Sequence, residues 1–375
     1  MSEGQLRLLE LGGTPYEIGY IHGREGKEEI KGFLDVIIKH GMEVIPDLTM
    51  EKALFQARLY IPFIEAYAPH LAEEIEGIAE GAEISVEEAY LLQLRAELTQ
   101  LSVDGEVNRE GCTSFAFKGN MTEDGKVWMG QNLDLSRFYK DFGVMLHIAP
   151  EGEPRVLCYT QIGSLGHNGI NSAGIGLATN ALFSSDWRIG IPRPILYRLI
   201  LEKESVSEAI EIVTDARRAS SCNYLISHKS GEIRDIEATA EYYSVIDIQE
   251  NVMVHTNHFA HPGLAEFDKL PEGKLESSHF RENRFRQLVT DHHGKLSMEK
   301  VKGFLTDHER YPASICRHTE GGRGDIVTIA SIICQPADGL MHVSLGQGCK
   351  NKYTTYALYC AEFLEKRNGK KSFCC

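Results

Sequence analysis

The sequence predicts an α+β protein built from stacked layers of helices and strands, and three features of the chain support this prediction. Residues 28–100 show helical patterns, whereas short strand patterns prevail after residue 111. Helical stretches interrupt these strands without a regular alternation, which favours stacked layers over a repeating βαβ arrangement. The 375 residues, 42% of them hydrophobic, suffice for one large domain or two modest ones.

The helices are predicted from apolar spacing and capping signals. Leu71 and Ile78 belong to an apolar series at helical spacing, with glutamates on the other faces. Pro69 marks a break between two helices. Ser85 and Glu88 form a capping box that begins a further helix. Later helices are predicted at 192–202, from the capping box at Ser205 and Glu208 to about 215, and at about 298–305.

The strands begin with a hairpin. Residues 113–118 and 126–132 flank a turn that contains Asp124 and Gly125. The polar stretch 101–111 precedes this hairpin, and we expect it to be an exposed connection. Further strands are predicted at 233–239, 242–248, 252–256, 327–334 and 340–345.

Cys112 lies where the polar stretch meets the first strand of the hairpin, in the sequence Gly111-Cys112-Thr113-Ser114. By itself this cysteine is better explained as a small buried hydrophobic residue than as a nucleophile. The hairpin brings the end of its second strand near the start of its first, so Asp134 is expected close to Cys112. An Asn-x-Asp sequence such as Asn132 to Asp134 also serves as a turn device, and both interpretations stay open.

Two other segments carry polar side chains of interest. In His255-Thr256-Asn257-His258, the Asn257 amide can donate a hydrogen bond to an oxyanion. The three histidines at 255, 258 and 261 form only a weak metal pattern, because no helix with carboxylates accompanies them. The segment from Ser314 to Arg317 is a polar turn followed by a short apolar step.

Cysteine spacing and overall charge exclude several classes. The nine cysteines are scattered and include no CxxC pair, which predicts reduced thiols and no thiolate zinc site. The net charge of −15 argues against nucleic acid binding. No apolar run reaches the length of a membrane span and the N-terminus lacks a signal-peptide core, so a cytoplasmic location is expected. The terminal Cys374-Cys375 pair is interpreted as a frayed tail, with lipidation as the alternative.

Several motifs together resemble one family, the acyl-coenzyme A:6-aminopenicillanic acid acyltransferases within the N-terminal-nucleophile (Ntn) hydrolases. The resemblance extends over nearly the whole chain and keeps the order of the motifs. The matching segments are 13–19 with His22-Gly23, Arg95-x-Glu97, Gly-Cys-Thr-Ser at 111–114, Gly-Gln-Asn-x-Asp at 130–134, Asn-Ser-Ala-Gly at 171–174, His-Thr-Asn-His at 255–258 and Ser-Ile-Cys-Arg at 314–317.

This resemblance implies a four-layer αββα sandwich and an inactive precursor that cleaves itself between Gly111 and Cys112. The mostly helical fragment 1–111 and the strand-rich fragment 112–375 then remain together as one domain. By match to the motifs, Cys112 is the nucleophile, Asp134 supports its new α-amine, and Asn257 lies in the oxyanion hole. Pocket or supporting residues are expected among Thr113, Ser114, Asn132, His255, Ser314 and Arg317.

The implied reaction cleaves or transfers acyl groups at small linear amides through a thioester on Cys112. Its partners are a small N-acyl amide or acyl thioester and the chain's own N-terminal fragment, and no cofactor or metal is expected. The α-amine of Cys112 serves as the base, so no histidine is needed. Two alternatives stay open: an unprocessed cysteine amidase of the bile-salt-hydrolase type, and an inactive binding protein that kept the fold.

Overall fold

The computed structural model describes residues 6–45, 47–98, 111–292, 294–319 and 326–359. The helices are α1 (Pro15–Glu25), α2 (Lys27–Val44), α3 (Met50–Tyr67), α4 (Pro69–Ala82), α5 (Val86–Leu91), α6 (Arg95–Leu98), α7 (Arg193–Leu201), α8 (Val206–Asp215), α9 (Glu272–Thr290) and α10 (Met298–Leu305). The strands are β1 (Leu8–Gly13), β2 (Thr113–Phe117), β3 (Trp128–Ser136), β4 (Gly143–Pro150), β5 (Val156–Gln161), β6 (Asn168–Asn171), β7 (Ile175–Ala181), β8 (Cys222–His228), β9 (Ile233–Ala238), β10 (Tyr243–Asp247), β11 (Val252–His255), β12 (Ile326–Gln335), β13 (Leu340–Leu345) and β14 (Thr354–Ala357).

The strands form two sheets. An eight-stranded sheet has the order β1-β4-β5-β6-β7-β8-β9-β10, and a six-stranded sheet has the order β11-β2-β3-β12-β13-β14. All neighbours are antiparallel except β1 and β4, which pair in parallel. The predicted hairpin is present as β2 and β3, and its second strand runs on to Ser136, so Asp134 lies within the strand rather than in a turn.

The two sheets pack face to face, with β2 and β3 against β7. Helices α1, α7 and α8 pack on the eight-stranded sheet, and α2 to α5 pack on α1 and on one another. Helices α9 and α10 cover the outer face of the six-stranded sheet through an apolar cluster that includes Phe115, Phe117 and Phe285. Each sheet can bury both faces only if helices cover its outer side. The resulting α+β order of helix, sheet, sheet and helix confirms the expected αββα sandwich.

Close packing of α1 on α4 anchors the first helical layer. A Cβ on Gly19 would lie 1.9 Å from the carbonyl oxygen of Glu74, and one on Gly77 would lie 2.2 Å from that of Tyr16. The two backbones can therefore approach this closely only because glycine has no side chain at these positions. Tight contact here fixes α4, whose buried Glu74 binds Arg198 of α7 at 2.9 Å.

Sequence patterns found many of these elements and missed others. The predicted capping boxes at Ser85–Glu88 and Ser205–Glu208 are both present and begin α5 and α8. Strands β1, β4 to β8 and β14 and helices α1 and α9 were not predicted. Strands buried on both faces lack the alternation of polar and apolar residues that marks a half-exposed strand, and every residue of β5, β6 and β7 is buried.

Three expectations fall at the edge of the described residues. The predicted connection 101–111 lies outside them except for Gly111, which is buried rather than exposed because it packs against Arg317 and Asp134. The side chain of Arg95 and the terminal Cys374-Cys375 pair also lie outside them. Among the described helices, none is both long enough and apolar enough to cross a membrane.

Candidate active site

The candidate nucleophile lies at one end of the six-stranded sheet, where four chain segments meet. Cys112 precedes β2, and the backbone N–H of Gly111 donates to the carbonyl oxygen of Asp134 in β3 at 3.1 Å. The backbone N–H of Cys112 donates to Oδ1 of Asn257, just after β11, at 2.7 Å. Arg317, between α10 and β12, places its guanidinium against Gly111. The structure thus brings together residues that are up to 206 positions apart in the sequence.

Asp134 is a buried carboxylate, and only one of its two oxygens accepts a hydrogen bond from the described residues. Its Oδ1 accepts the Thr328 hydroxyl at 2.7 Å, whereas its Oδ2 has no hydrogen-bond partner among the described residues. Burial raises the pKa of Asp134 to about 7, although the charges of Arg317 and Arg281 and the Thr328 hydrogen bond all favour ionisation. A carboxyl group with a pKa near neutrality can exchange a proton at physiological pH.

Arg317 and Asp134 leave no room for a side chain at position 111. A Cβ on Gly111 would lie 2.4 Å from Nη1 of Arg317 and 3.7 Å from Oδ2 of Asp134. Two hydrogen bonds to Thr328 fix the backbone of Arg317. The Arg317 N–H donates to the Thr328 hydroxyl at 2.8 Å, and the Arg317 carbonyl oxygen accepts the N–H of Thr328 at 3.1 Å. The peptide bond between Gly111 and Cys112 is therefore flanked by a fixed cation and an unpaired carboxylate oxygen.

Asn257 presents its carbonyl oxygen, not its NH₂ group, to Cys112. Oδ1 accepts the N–H of Cys112 at 2.7 Å and Nη2 of Arg281 at 2.9 Å, and both of these groups are donors only. The NH₂ group of Asn257 donates to the carbonyl oxygen of Ala181 at 3.1 Å. This second hydrogen bond uses one of the two amide hydrogens, so one hydrogen is available for an oxyanion.

The side chain of Arg281, in α9, contacts both Cys112 and Asn257. Its Nη1 donates to the carbonyl oxygen of Cys112 at 2.5 Å and to the hydroxyl of Thr113 at 3.0 Å. The side chain is buried, and this burial, together with the charge of Arg317, lowers its pKa to about 10. Arg281 therefore remains a cation at neutral pH and contributes positive charge at the base of the site.

Comparison with known proteins identifies the family. A sequence profile of the acyl-coenzyme A:6-aminopenicillanic acid acyl-transferases matches residues 120–350. Over 348 residues, the chain is 31% identical to the 40 kDa form of acyl-coenzyme A:6-aminopenicillanic-acid-acyltransferase from Emericella nidulans, covering 89% of this chain and 91% of that protein. The chain belongs to this acyltransferase family. This result confirms the resemblance inferred from the motifs and the expectation of an enzyme that acts on amide carbon–nitrogen bonds.

Two solved structures are also similar to this member of the acyltransferase family. One is a variant of the conjugated bile acid hydrolase from Clostridium perfringens, with 16% identity and a TM-score of 0.48 over 66% of this chain and 97% of that one. The other is the Caenorhabditis elegans ortholog of N-acylethanolamine-hydrolyzing acid amidase, with 16% identity and a TM-score of 0.44 over 60% and 93%.

The motif residues next to the nucleophile divide between the two faces of the six-stranded sheet. Thr113 points to α9, where it accepts from Arg281. Ser114 points to the eight-stranded sheet and donates to Asn180 at 2.6 Å. Asn132 donates to the carbonyl oxygens of Leu305 and Ile315 at 2.8 and 2.9 Å, and it thereby ties β3 to the segment that carries Arg317.

His255 joins the two sheets through a buried ion pair. Its Nε2 lies 2.7 Å from Oε1 of Glu237 in β9, and its Nδ1 lies 2.9 Å from the carbonyl oxygen of Thr256. Burial alone would lower the pKa of His255, but the carboxylates of Asp235 and Glu237 raise it to about 9. His255 is therefore a cation at neutral pH that donates from both ring nitrogens, and it holds β11, which leads into Asn257.

The remaining candidates have local roles. The buried hydroxyl of Ser314 donates to the carbonyl oxygen of Cys316 at 2.6 Å, which closes the turn that leads to Arg317. His258 pairs with Glu282 at 3.2 Å rather than with His255. Among the described residues, the histidines at 255, 258 and 261 form no metal-ligating cluster.

Sequence patterns gave no sign of Arg281 or Thr328. Arg281 belongs to an unpredicted helix of low amphipathic character, and a single arginine among many charged residues carries no signal of burial. Thr328 lies in a correctly predicted strand, but its contact with Asp134 depends on the pairing of β12 with β3. The assembled site combines a thiol, a near-neutral carboxyl group, a buried arginine, a partly buried arginine and an amide, which suits acyl transfer through a charged tetrahedral intermediate.

Proposed function

We propose that the chain is made as a precursor that cleaves its own Gly111–Cys112 bond and then uses Cys112 to take acyl groups from small linear amides. The observation that carries the proposal is the pairing at this bond. The amide nitrogen of Cys112 lies 2.7 Å from Oδ1 of Asn257, and an unpaired oxygen of Asp134 lies beside Gly111. Before cleavage, Oδ1 of Asn257 accepts the backbone N–H of Cys112. After cleavage, both oxygens can accept hydrogen bonds from the new α-amine of Cys112.

Self-cleavage proceeds in two steps, formation of a thioester and its hydrolysis. The Cys112 thiol gives its proton to a base, its sulfur bonds to the Gly111 carbonyl carbon, and the Gly111–Cys112 bond breaks as the nitrogen takes up a proton. Water then hydrolyses the thioester, leaving a carboxylate on Gly111 and a free thiol on Cys112. Asp134 is the proposed base because its pKa of about 7 permits proton exchange near neutrality. Arg317, against Gly111, stabilises the negative charge of the intermediate.

After cleavage, the α-amine of Cys112 takes over as base. Oδ1 of Asn257 accepts one of its hydrogens, and Oδ2 of Asp134 gains the partner that it lacks in the uncleaved chain. The amine accepts the thiol proton as sulfur attacks the substrate carbonyl, and it returns that proton to the departing amine. The remaining amide hydrogen of Asn257 stabilises the oxyanion by about 3 kcal/mol, as in comparable sites.

The substrates we propose are small N-acyl amides and acyl thioesters. The relative from Emericella nidulans is named for transfer from acyl-coenzyme A to 6-aminopenicillanic acid, which combines a thioester donor with an amine acceptor. Both kinds of substrate yield the same thioester on Cys112. Water as acceptor gives hydrolysis, and an amine as acceptor gives transfer.

The two fragments are proposed to stay together as one domain. Strand β1, from the N-terminal fragment, pairs with β4 from the C-terminal one. Glu74 and Arg198 form a buried ion pair across the same boundary at 2.9 Å, and Glu97 accepts the Ser220 hydroxyl at 2.9 Å. Separation would also expose to water the apolar core that residues of both fragments share, which is strongly unfavourable. We also propose a cytoplasmic location, supported by six described cysteines that form no disulfide.

Denaturing electrophoresis and mass spectrometry of the purified protein test this proposal. The expected products are a fragment of 111 residues and one of the remaining 264 that begins with Cys112. The Cys112→Ala chain should stay at full length, fold and lack amidase activity. Cys334→Ala, which alters a buried cysteine of β12, is the matched control and should be cleaved normally. Cleavage between residues 111 and 112 in the Cys112→Ala chain would refute the proposal.

A further inference from the structure

Four metal-ligating side chains converge outside the candidate active site. His308 and His318 bring their Nε2 atoms to 3.0 Å of each other, and Cys316 and Cys349 bring their Sγ atoms to 3.6 Å. Nε2 of His318 lies 3.5 Å from each sulfur. All four ligand atoms lie within 4.8 Å of one another. Three of the residues come from the segment between α10 and β12, and Cys349 comes from the turn after β13.

Four of the six separations between these atoms are close to those of a tetrahedral zinc site. Zinc binds thiolate sulfur at about 2.3 Å and imidazole nitrogen at about 2.0–2.1 Å. Tetrahedral angles then place two sulfurs roughly 3.8 Å apart, two nitrogens roughly 3.3 Å apart, and sulfur and nitrogen roughly 3.6 Å apart. The corresponding separations here are 3.6, 3.0 and 3.5 Å. The sulfurs are too far apart for a disulfide, whose bond length is about 2.05 Å.

Hydrogen bonding alone does not account for this cluster. Nε2 of His318 faces the second imidazole nitrogen and both sulfurs at 3.0 to 3.5 Å. A ring nitrogen offers either one N–H or one lone pair, so it serves one of these three neighbours well. A metal ion at the centre of the four atoms accepts one lone pair from each of them at once.

We propose that His308, Cys316, His318 and Cys349 bind one zinc ion in a Cys₂His₂ site. On binding, the two thiols release their protons to solvent, and each imidazole contributes a neutral nitrogen lone pair. The two thiolate charges balance the charge of Zn²⁺, so the site is neutral overall. With four protein ligands and no open position, it is a structural site rather than a catalytic one.

The proposed zinc site lies where it can stabilise the segment that carries Arg317. Arg317 lies between two of the ligands, Cys316 and His318, and its side chain lies against Gly111 at the candidate cleavage point. The metal clamps this segment to the turn that carries Cys349, at the start of the connection between β13 and β14. Nε2 of Gln347 donates to the carbonyl oxygen of Arg317 at 3.4 Å and joins the same two segments. Zinc thereby fixes the backbone that positions Arg317.

This proposal sets aside the sequence argument against a thiolate zinc site. A CxxC pair places two cysteines close together in the sequence, whereas 33 positions separate the two cysteines here. The local signal is a Cys-x-His sequence at 316–318, preceded by a histidine eight positions earlier. The fourth ligand is supplied only by the pairing of β12 with β13, which brings the turn after β13 to this segment.

The test is metal analysis of the untagged full-length protein, purified under reducing conditions from zinc-supplemented culture. Elemental analysis after gel filtration should find about one zinc ion per chain. Replacement by Co²⁺ should give the visible absorption and thiolate-to-metal charge-transfer bands of tetrahedral cobalt. Cys349→Ser should lose most of the metal, whereas Cys334→Ser, which alters a cysteine outside the cluster, should keep it.

Several outcomes would overturn the proposal. They are wild-type protein that neither contains zinc nor takes up Zn²⁺ or Co²⁺, a full equivalent of zinc in folded Cys349→Ser, and a Cys316–Cys349 disulfide in peptide maps of protein prepared under reducing conditions. The cobalt spectrum of the wild-type chain decides the matter even if Cys349→Ser fails to fold. None of these measurements depends on amidase activity, so the zinc site stands or falls independently of the proposed function.

Discussion

Arg281 donates a 2.9 Å hydrogen bond to Oδ1 of Asn257, the same atom that accepts the backbone N–H of Cys112. This contact fixes which end of the Asn257 amide faces the nucleophile, because a guanidinium can only donate. The NH₂ group is thereby turned toward the carbonyl oxygen of Ala181. A buried cation on α9 therefore sets the orientation of a residue that follows β11, and the first predictions concern this pair.

Arg281→Met should slow self-cleavage by about 100-fold, because it frees the Asn257 amide to rotate and removes a donor from the Cys112 carbonyl oxygen. The measurement is the rate at which the 264-residue fragment appears in newly refolded protein. Asn283→Met, on the exposed side of the same helix, is the control and should be cleaved at the normal rate. Normal cleavage in Arg281→Met with only a lowered melting temperature would assign Arg281 to folding alone.

Asn257→Ala should lower kcat by about 100-fold while changing substrate binding less, because an oxyanion develops only in the transition state. If Asn257 only stabilises the fold, its loss costs about 1 kcal/mol and spares kcat. Measuring kcat and melting temperature on one processed preparation separates these outcomes. Asn171→Ala is a matched control, since Asn171 is also buried and donates to the backbone carbonyls of Leu201 and Lys203.

The ionisation of Asp134 should make the uncleaved protein less stable as the pH rises. The folded protein holds the Asp134 proton more tightly than the unfolded chain does, since burial raises the pKa from 3.8 to about 7. The free energy of unfolding therefore falls as the pH rises from about 4 to about 7, by roughly 4 kcal/mol in total for this group. Denaturant unfolding of the Cys112→Ala chain at several pH values measures this fall.

Asp134→Asn in the same chain should remove most of that fall and should raise stability at pH 7.5. Asp141→Asn, which alters an exposed aspartate, should leave the pH dependence as it is. Equal slopes with and without Asp134→Asn would mean that Asp134 does not carry the raised pKa, and they would remove the basis for its role as the base in self-cleavage.

Gly111→Ala should slow self-cleavage by about 10- to 100-fold, because the new methyl group meets the Arg317 guanidinium at 2.4 Å and displaces the reacting carbonyl. Gly303→Ala in α10 is the control, since a Cβ there has no atom within 4 Å. Both variants are followed by fragment yield over time. Unimpeded cleavage of Gly111→Ala would show that the Arg317 side chain moves aside freely.

The sequence by itself determined the parts of this protein that depend on residues close together in the chain. Capping boxes and apolar spacing located helices such as α5 and α8, because these signals lie within one or two turns. The turn at Asp124 and Gly125 set the hairpin, and the hairpin alone predicted that Asp134 lies near Cys112. The order of the motifs was enough to indicate the family.

Only the tertiary structure decided which distant groups complete the site. Arg281 reaches Cys112 across 169 positions, and no local pattern shows that a particular arginine becomes buried. The near-neutral pKa of Asp134 likewise results from the layers that exclude water, not from its neighbours in sequence. The four proposed zinc ligands meet because β12 pairs with β13. Local patterns record contacts along one helix or hairpin, whereas burial and charge pairing arise only when the layers pack together.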